Sequence, residues 1–249
     1  MRFRLTPMKK AWLLVGLAAA AALLVIGGCT ASRISAAAQL ARESEPFQHN
    51  PPNAALRLLI VGDSTGVGTG ASAPKHSVAG LLAQSFPRLA IENRARDGAT
   101  FAGVVQQLER GGRFDLVLLM AGGNDVIRFR SEDAMSADVQ RSLALAHAMA
   151  PRVAVMPAGN VGNAPFFFAP LSGVMSARSR TLHAVVSQVA AAASTQYINL
   201  YQEAETDPFA RDKDLHAKDG LHPSDAGYRV WRDELLAQSG WASVLQAAQ

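Results

Sequence analysis

The sequence contains few residues of several types, and each shortage excludes a class of protein. Its 249 residues include a single cysteine, which excludes a disulfide framework and a zinc site built from several cysteines. Charged residues make up only 18% of the chain and hydrophobic residues 49%. This composition excludes collagen, a charge-rich coiled coil and an intrinsically disordered chain. The length suits one globular domain with a sizeable core.

The excess of positive charge lies at the N-terminus. Lysine and arginine total 24 against 20 acidic residues, which gives a formal net charge of +4. Arg2, Arg4, Lys9 and Lys10 supply this excess, and residues 1–10 contain no acidic residue. A nucleic-acid-binding protein needs a basic surface on its folded domain. We therefore expect no nucleic-acid partner.

An uncharged run of 18 residues, Ala11 to Gly28, follows the basic tip and ends at Cys29, the single cysteine. A basic tip, an apolar run and small residues at its end are typical of a secretory signal. The stretch Val25–Cys29 is similar to a bacterial lipoprotein signal, which implies cleavage before Cys29 and lipidation of that residue. The alternative is an uncleaved helix, because 18 residues just suffice to span a bilayer. Both interpretations predict a protein of the cell envelope, outside the cytoplasm and anchored to a membrane.

We expect three segments along the chain: a signal peptide or membrane anchor over residues 1–28, a tether over 29–53 and a globular domain over 54–249. Residues 30–53 are rich in serine, alanine, glutamine, glutamate and proline, with little periodic apolar content and room for one short helix over 36–42. The residues that carry function are therefore expected after residue 54.

Five mostly aliphatic runs predict the strands of this domain, at residues 56–61, 90–93, 116–120, 152–156 and 197–200. Such runs suit strands that are buried on both faces, as in a parallel sheet. Helix-like stretches alternate with them, at residues 77–86, 101–110, 137–150, 176–193 and 226–238. The alternation predicts a three-layer α/β fold.

Polar and glycine-rich segments follow these strands, at the sheet edge where open α/β folds bind ligands. Ser64 lies on the turn after the first strand, between Gly62 and Gly66, and is a candidate nucleophile. His222 is a candidate base, and Asp219 lies three residues earlier, close enough to orient the imidazole. The sequence therefore predicts a catalytic triad for acyl transfer.

Acyl transfer also needs hydrogen-bond donors for the oxyanion of the tetrahedral intermediate. The candidates are the backbone amides of Ser64 and Gly98 and the side-chain amide of Asn124, because each follows a predicted strand. Taken singly, each of these residues has a structural explanation; Asn124, for example, is also suited to capping a helix. Their joint occurrence favours the catalytic interpretation.

Two other motifs match the same region. Residues 62–66 fit the G-x-S-x-G elbow of α/β-hydrolases, but there the acid and the histidine are well separated in sequence. Residues 66–71 fit the G-x-G-x-x-A dinucleotide pattern with Glu92 as the ribose ligand, but these glycines begin five residues after the strand and Pro74 follows them. We therefore reject both.

Four segments together resemble the conserved blocks of the SGNH (GDSL-type) hydrolases: Gly62-Asp63-Ser64, Gly98, Gly122-Gly123-Asn124-Asp125 and Asp219-Gly220-Leu221-His222-Pro223. They occur in the family's order. The resemblance implies a flavodoxin-like α/β/α sandwich with a five-stranded parallel sheet, a Ser64–His222–Asp219 triad and an oxyanion hole from Ser64, Gly98 and Asn124. It implies no metal and no organic cofactor. Thr65 departs from the leucine of the family name.

The resemblance implies a serine esterase that hydrolyses acyl or acetyl esters through an acyl-serine intermediate. The alternative is a non-catalytic envelope binding protein with the same fold. The natural substrate, its acyl-chain length and the oligomeric state are not specified by the motifs. The triplet Phe166-Phe167-Phe168 has three interpretations: it lines an acyl pocket, touches lipid or packs on the core, and the last is slightly favoured.

Overall fold

The computed structural model describes Gly28 and residues 31–248. A helix over residues 31–43, α1, precedes a single sheet of five parallel strands. The strands are β1 (Leu56–Gly62), β2 (Leu89–Asn93), β3 (Leu116–Met120), β4 (Arg152–Val155) and β5 (Gln196–Tyr197). Their order in the sheet is β2-β1-β3-β4-β5. This is the flavodoxin-like order, so the predicted fold is confirmed.

Helices cover both faces of the sheet and complete the three layers. After α1 they are α2 (Ser64–Val67), α3 (Val78–Ser85), α4 (Phe101–Leu108), α5 (Gly123–Ile127), α6 (Glu132–Met149), α7 (Leu171–Ala192), α8 (Pro208–Arg211), α9 (Asp225–Ser239) and α10 (Trp241–Gln246). The five helices predicted between the strands correspond to α3, α4, α6, α7 and α9. The short helices α2 and α5 lie within the segments that the sequence analysis assigned to the site.

The alternation of side chains along each strand builds two cores. In β1, Leu59 and Val61 face the core formed with α4, α6 and α7, whereas Leu58 and Ile60 face the core formed with α3, α9 and α10. Successive residues of a strand point to opposite faces, so an unbroken aliphatic run fills both cores at once. The strands are thereby fixed in register, and their carboxyl ends form one edge.

The last strand is shorter than the run that predicts it. The prediction was residues 197–200, but β5 ends at Tyr197 and lies at the edge of the sheet. The amide of Ile198 still donates a hydrogen bond to the carbonyl oxygen of Val155 on β4. The next amide, that of Asn199, donates instead to the side-chain oxygen of Gln238 at 2.8 Å, so a side chain takes the place of a strand partner. The ladder therefore stops, and residues 199–202 become a loop.

The segment before the globular domain contains more structure than the sequence indicates. The helix α1 spans residues 31–43 rather than the short stretch 36–42. His49 forms an antiparallel bridge with Ile91, and the Gln48 side chain bonds both the amide and the carbonyl of Asn93. This part of the expected tether therefore packs on the domain.

The predicted membrane anchor, residues 1–28, lies outside the described residues except for Gly28, and so does Cys29. Among the residues that the structure does describe, there is no helix of the length and apolarity needed to cross a membrane.

Candidate active site

Ser64 lies where β1 passes directly into α2. Asp63 caps this helix, and its Oδ1 accepts hydrogen bonds from the amide of Thr65 at 2.9 Å and from the Thr65 hydroxyl at 2.7 Å. Asp63 is buried, and this burial raises the pKa of its carboxyl, although the Thr65 donors oppose the increase. Thr65, the one departure from the family motif, thus holds the cap that places Ser64.

Gly62 is required on the other side of this turn. A Cβ atom at Gly62 would lie 1.9 Å from the carbonyl oxygen of Met120 on β3. Any side chain there would separate the two strands just where Ser64 leaves the sheet.

The three residues of the predicted triad lie in line. The Ser64 hydroxyl oxygen is 2.9 Å from Nε2 of His222, and Nδ1 of His222 is 2.6 Å from Oδ2 of Asp219. Asp219 is only three residues from His222 in sequence, but Ser64 is 158 residues away. The fold therefore brings the segment of Ser64 to the segment that carries Asp219 and His222. All three are buried, with relative exposures of 8%, 1% and 8% for Ser64, Asp219 and His222. A hydroxyl, an imidazole and a carboxylate in this order can transfer a proton away from the hydroxyl.

The loop of residues 219–223 is organised by Asp219 itself. Burial of this carboxyl acts to raise its pKa, but hydrogen bonds from His222 and from the backbone amides of Leu221 and His222 outweigh burial, and the pKa is lowered. Asp219 is therefore a carboxylate at neutral pH. As an acceptor it holds Nδ1 of His222 in the protonated form, which leaves Nε2 free to accept the Ser64 proton.

The three predicted oxyanion donors share one cavity. Ser64, Gly98, Asn124 and His222 all line a cavity of about 250 Å³ at the carboxyl edge of the sheet. Within the described residues, neither the backbone amides of Ser64 and Gly98 nor the side-chain amide of Asn124 has a hydrogen-bond acceptor. Gly98 has a φ of +75°, a conformation that favours glycine. The cavity therefore contains donors whose partner must come from a bound molecule or solvent.

Asp125 is a residue of the site that the sequence analysis quoted but gave no role. Its Oδ2 accepts the amide of Phe101 at 3.1 Å, so a residue of α5 caps the start of α4. Asp125 follows Asn124, and Phe101 lies three residues after Gly98. One carboxylate thus ties together the two loops that carry these predicted donors. Burial raises the pKa of Asp125 to about 6, and its Oδ1 has no hydrogen-bond partner.

The cavity extends beyond the triad towards α9. Its lining includes Leu200, Phe209, Val230 and Trp231, together with polar side chains such as Gln202 and Glu234. Apolar walls of this kind suit the hydrocarbon part of a ligand. None of the three phenylalanines 166–168 lines the cavity; Phe167 packs against the core, as the favoured interpretation predicted for the triplet, whereas Phe168 is exposed. Across residues 31–248, no cluster of three metal-ligating side chains is found.

Comparisons with known proteins bear on the family of the chain. The sequence profile of the "GDSL-like Lipase/Acylhydrolase family" matches residues 60–230. No curated protein matches the chain.

Solved structures share the fold at low sequence identity. A member of the lipolytic protein G-D-S-L family from Veillonella parvula has a TM-score of 0.58 at 18% identity, over 73% of this chain and 96% of that one. The esterase EstA from Pseudoalteromonas, inhibited by monoethylphosphonate, has a TM-score of 0.57 at 20% identity, over 75% and 98%. The acetylxylan esterase Axe2 from Geobacillus stearothermophilus has a TM-score of 0.55 at 22% identity, over 76% and 95%.

The family profile spans more than half of the chain and includes all four segments that carried the resemblance. The predictions of the family, of its α/β/α fold and of an esterase-type hydrolase are therefore confirmed. The chain belongs to the GDSL-like lipase and acylhydrolase family.

Proposed function

We propose that Ser64, His222 and Asp219 are the catalytic triad of this esterase and that Ser64, Gly98 and Asn124 form its oxyanion hole. The observation that carries the proposal is the pair of hydrogen bonds joining the three side chains, 2.9 Å from Ser64 to His222 and 2.6 Å from His222 to Asp219. The unpartnered amide donors in the same cavity supply the second requirement of the chemistry.

The reaction proceeds in two halves. Ser64 Oγ attacks the ester carbonyl carbon while its proton passes to Nε2 of His222. The carbonyl oxygen, now negative, accepts hydrogen bonds from the amides of Ser64, Gly98 and Asn124, which stabilise it more than the neutral substrate. His222 then protonates the leaving alcohol, and an acyl-Ser64 ester remains.

In the second half, His222 removes a proton from a water molecule, which attacks the acyl-Ser64 carbonyl. The tetrahedral intermediate collapses, Ser64 recovers its proton from His222 and the carboxylic acid is released. Asp219 stays ionised throughout, because its lowered pKa favours the carboxylate, and it stabilises the imidazolium that forms in each half.

We place this esterase in the cell envelope, outside the cytoplasm and anchored to a membrane. The support is the sequence alone: the basic tip, the uncharged run Ala11 to Gly28 and Cys29 at its end. Lipidation of Cys29 after cleavage and retention of an uncleaved helix both give this placement.

Replacing Cys29 by alanine abolishes incorporation of labelled fatty acid if Cys29 is the lipidation site; continued incorporation would contradict that assignment.

The substrates that fit the proposal are carboxylic esters with an apolar acyl group, because the cavity lining includes the apolar side chains of Leu200, Phe209, Val230 and Trp231. Axe2, at 22% identity, is an acetylxylan esterase, so acetylated glycans of the envelope are the second class to test. A panel of p-nitrophenyl esters from acetyl to palmitoyl gives the chain-length preference.

The test of function compares the wild-type chain, Ser64→Ala and, as a matched control, Ser187→Ala on α7. We expect hydrolysis by the wild type and by Ser187→Ala, and a loss of several orders of magnitude in Ser64→Ala. If a correctly folded wild type hydrolyses no ester of the panel, the catalytic assignment is wrong, and the non-catalytic envelope binding protein becomes the better interpretation.

A further inference from the structure

Five large apolar side chains are exposed in the part of the chain that the structure describes: Ile34, Phe129, Phe168, Leu171 and Val174, at 43–56% relative exposure. We call these five residues the apolar strip. Leu171 and Val174 lie on one face of α7, because they are three residues apart, and Phe168 is in the turn before it. Soluble proteins rarely group large exposed apolar side chains in this way, and such groups mark interaction surfaces.

Two arginines link the remaining members to this face. Arg178, on the same side of α7 as Val174, lies over the ring of Phe129, with 4.8 Å between the guanidinium carbon and the ring centroid. At the other end, Arg33 of α1 lies 4.2 Å from the centroid of Phe168. Ile34 follows Arg33 directly. Arg178 therefore joins Phe129 to the α7 face, and Arg33 joins Phe168 to α1, the helix that carries Ile34.

This surface is positively charged at both ends. Arg33 and Arg178 donate hydrogen bonds to backbone carbonyl groups, those of Pro165 for Arg33 and of Val126 and Arg130 for Arg178. Neither forms an ion pair with a carboxylate among the described residues. An apolar surface flanked by arginines suits the interface of a bilayer that contains anionic lipids, because the rings enter the acyl region and the guanidinium groups meet phosphates.

One member of the strip, Ile34, is close in sequence to the uncharged run. The run ends at Gly28, six residues before Ile34, and six residues span at most about 21 Å. If the chain is held in a membrane at this point, by the run itself or by a lipid on Cys29 as proposed above, Ile34 lies within reach of the membrane surface. The segments that carry two members of the strip also reach the cavity: Ile127 and Ala164 line the cavity, and Phe129 and Phe168 follow them in sequence by two and four residues.

We propose that the apolar strip docks on the surface of an anionic lipid bilayer and presents the cavity of Ser64 to esters held in that bilayer. The proposal extends the esterase assignment and, for its substrate class, rests on it. The helix α1 connects the apolar strip to the cavity, because its residue Arg33 contacts Phe168 and its residue Ala41 lines the cavity.

The first test measures hydrolysis by the full chain of two substrates: soluble p-nitrophenyl acetate, and 4-methylumbelliferyl palmitate held in vesicles of phosphatidylcholine and phosphatidylglycerol. The variant Leu171→Glu/Val174→Glu repels the lipid phosphates. The matched control, Ala184→Glu/Gln188→Glu, adds the same charge to exposed positions of α7 roughly 20 Å further along the helix.

We expect the strip variant to lose at least tenfold in rate on the vesicle substrate and to stay within twofold of the wild type on the soluble ester, which shows that the variant is folded. The control variant should match the wild type on both. Equal vesicle rates for the strip variant and the control would overturn the proposal. Absence of any hydrolysis by the wild type contradicts the esterase assignment instead.

The second test does not depend on activity. The backbone amides of Phe168, Ala169 and Leu171 have no hydrogen-bond acceptor within the described residues, so they exchange rapidly with deuterium in the free protein. We expect phosphatidylglycerol vesicles to slow exchange over residues 166–171 and to leave residues 203–205, also exposed, unchanged. Unchanged exchange over residues 166–171 would refute docking. A different outcome would assign the strip to a second copy of the chain. In that case, exchange over residues 166–171 slows as the protein concentration rises without vesicles, and the strip variant is monomeric where the wild type is a dimer.

Discussion

Replacing Asp125 by asparagine tests how the two loops that carry Gly98 and Asn124 are held together. The Asp125 carboxyl is fully buried, and one oxygen accepts the Phe101 amide while the other has no hydrogen bond. The nearest cation is Arg130, whose Nε lies 3.7 Å away. An asparagine side chain keeps the shape and the acceptor for Phe101 but carries no charge at any pH.

The magnitude follows from the pKa of Asp125, which burial raises from 3.8 to about 6. A raised carboxyl pKa means that the folded state binds the proton more tightly than the unfolded state. The stabilisation this provides is fully present below pH 3.8 and is lost as the pH rises through about 6. The loss amounts to about 3 kcal/mol, since a tenfold change in proton affinity is worth about 1.4 kcal/mol.

Unfolding by urea at pH 4 and at pH 7.5 measures this effect. We expect the free energy of unfolding of Asp125→Asn, relative to the wild type, to increase by about 2 kcal/mol between the two pH values, because at pH 4 the carboxyl of the unfolded wild type is already more than half ionised. Glu205→Gln, at an exposed loop position, is the control and should change little relative to the wild type. If the difference between Asp125→Asn and the wild type is the same at both pH values, the buried carboxyl does not titrate as the structure indicates, and the reasoning is refuted.

Three further predictions concern the site and its support. Asn124→Ala should lower kcat by roughly 100- to 1000-fold with little change in KM, because the lost donor acts on the oxyanion; an effect confined to KM in steady-state assays would contradict this. Asp219→Asn should lower kcat by about 10⁴-fold at pH 7.5 with the fold retained by circular dichroism, and near-normal turnover would remove Asp219 from the triad. His183 has a pKa lowered to about 4 by burial, so its contribution to stability is present above pH 6.5 and is lost as the pH falls towards 4. NMR of its imidazole should show no titration above pH 5, and a midpoint near 6.5 would contradict the burial argument.

The strands and long helices were predictable because their signals are local. The run Leu116–Met120 is aliphatic at every position, and the structure places it in the centre of the sheet with both faces buried. The ends of elements depend on partners distant in sequence. The short β5 is an example, because the side chain of Gln238, nearly 40 residues away, terminates its ladder.

The site was predictable for the same reason that the sheet was. Ser64, Gly98 and Asn124 each follow a strand, and the carboxyl ends of parallel strands meet at one edge. The role of Asp125 was not predictable, because its partner is the backbone amide of Phe101, 24 residues away in sequence, whose position depends on the tertiary fold. The contacts of α1 were missed because the segment has little hydrophobic periodicity, and Arg33 contacts the domain through one ring and one carbonyl group.

The central claim is that the Ser64 hydroxyl is activated by His222 and Asp219. A fluorophosphonate probe reports this directly, because it forms a covalent bond only with a serine whose proton is removed by a neighbouring base. We expect peptide mapping of the labelled full-length chain to find one probe on Ser64, with labelling lost in Ser64→Ala and strongly slowed in His222→Ala. A folded wild-type chain that is not labelled, or one labelled equally well after Ser64→Ala, would contradict the account.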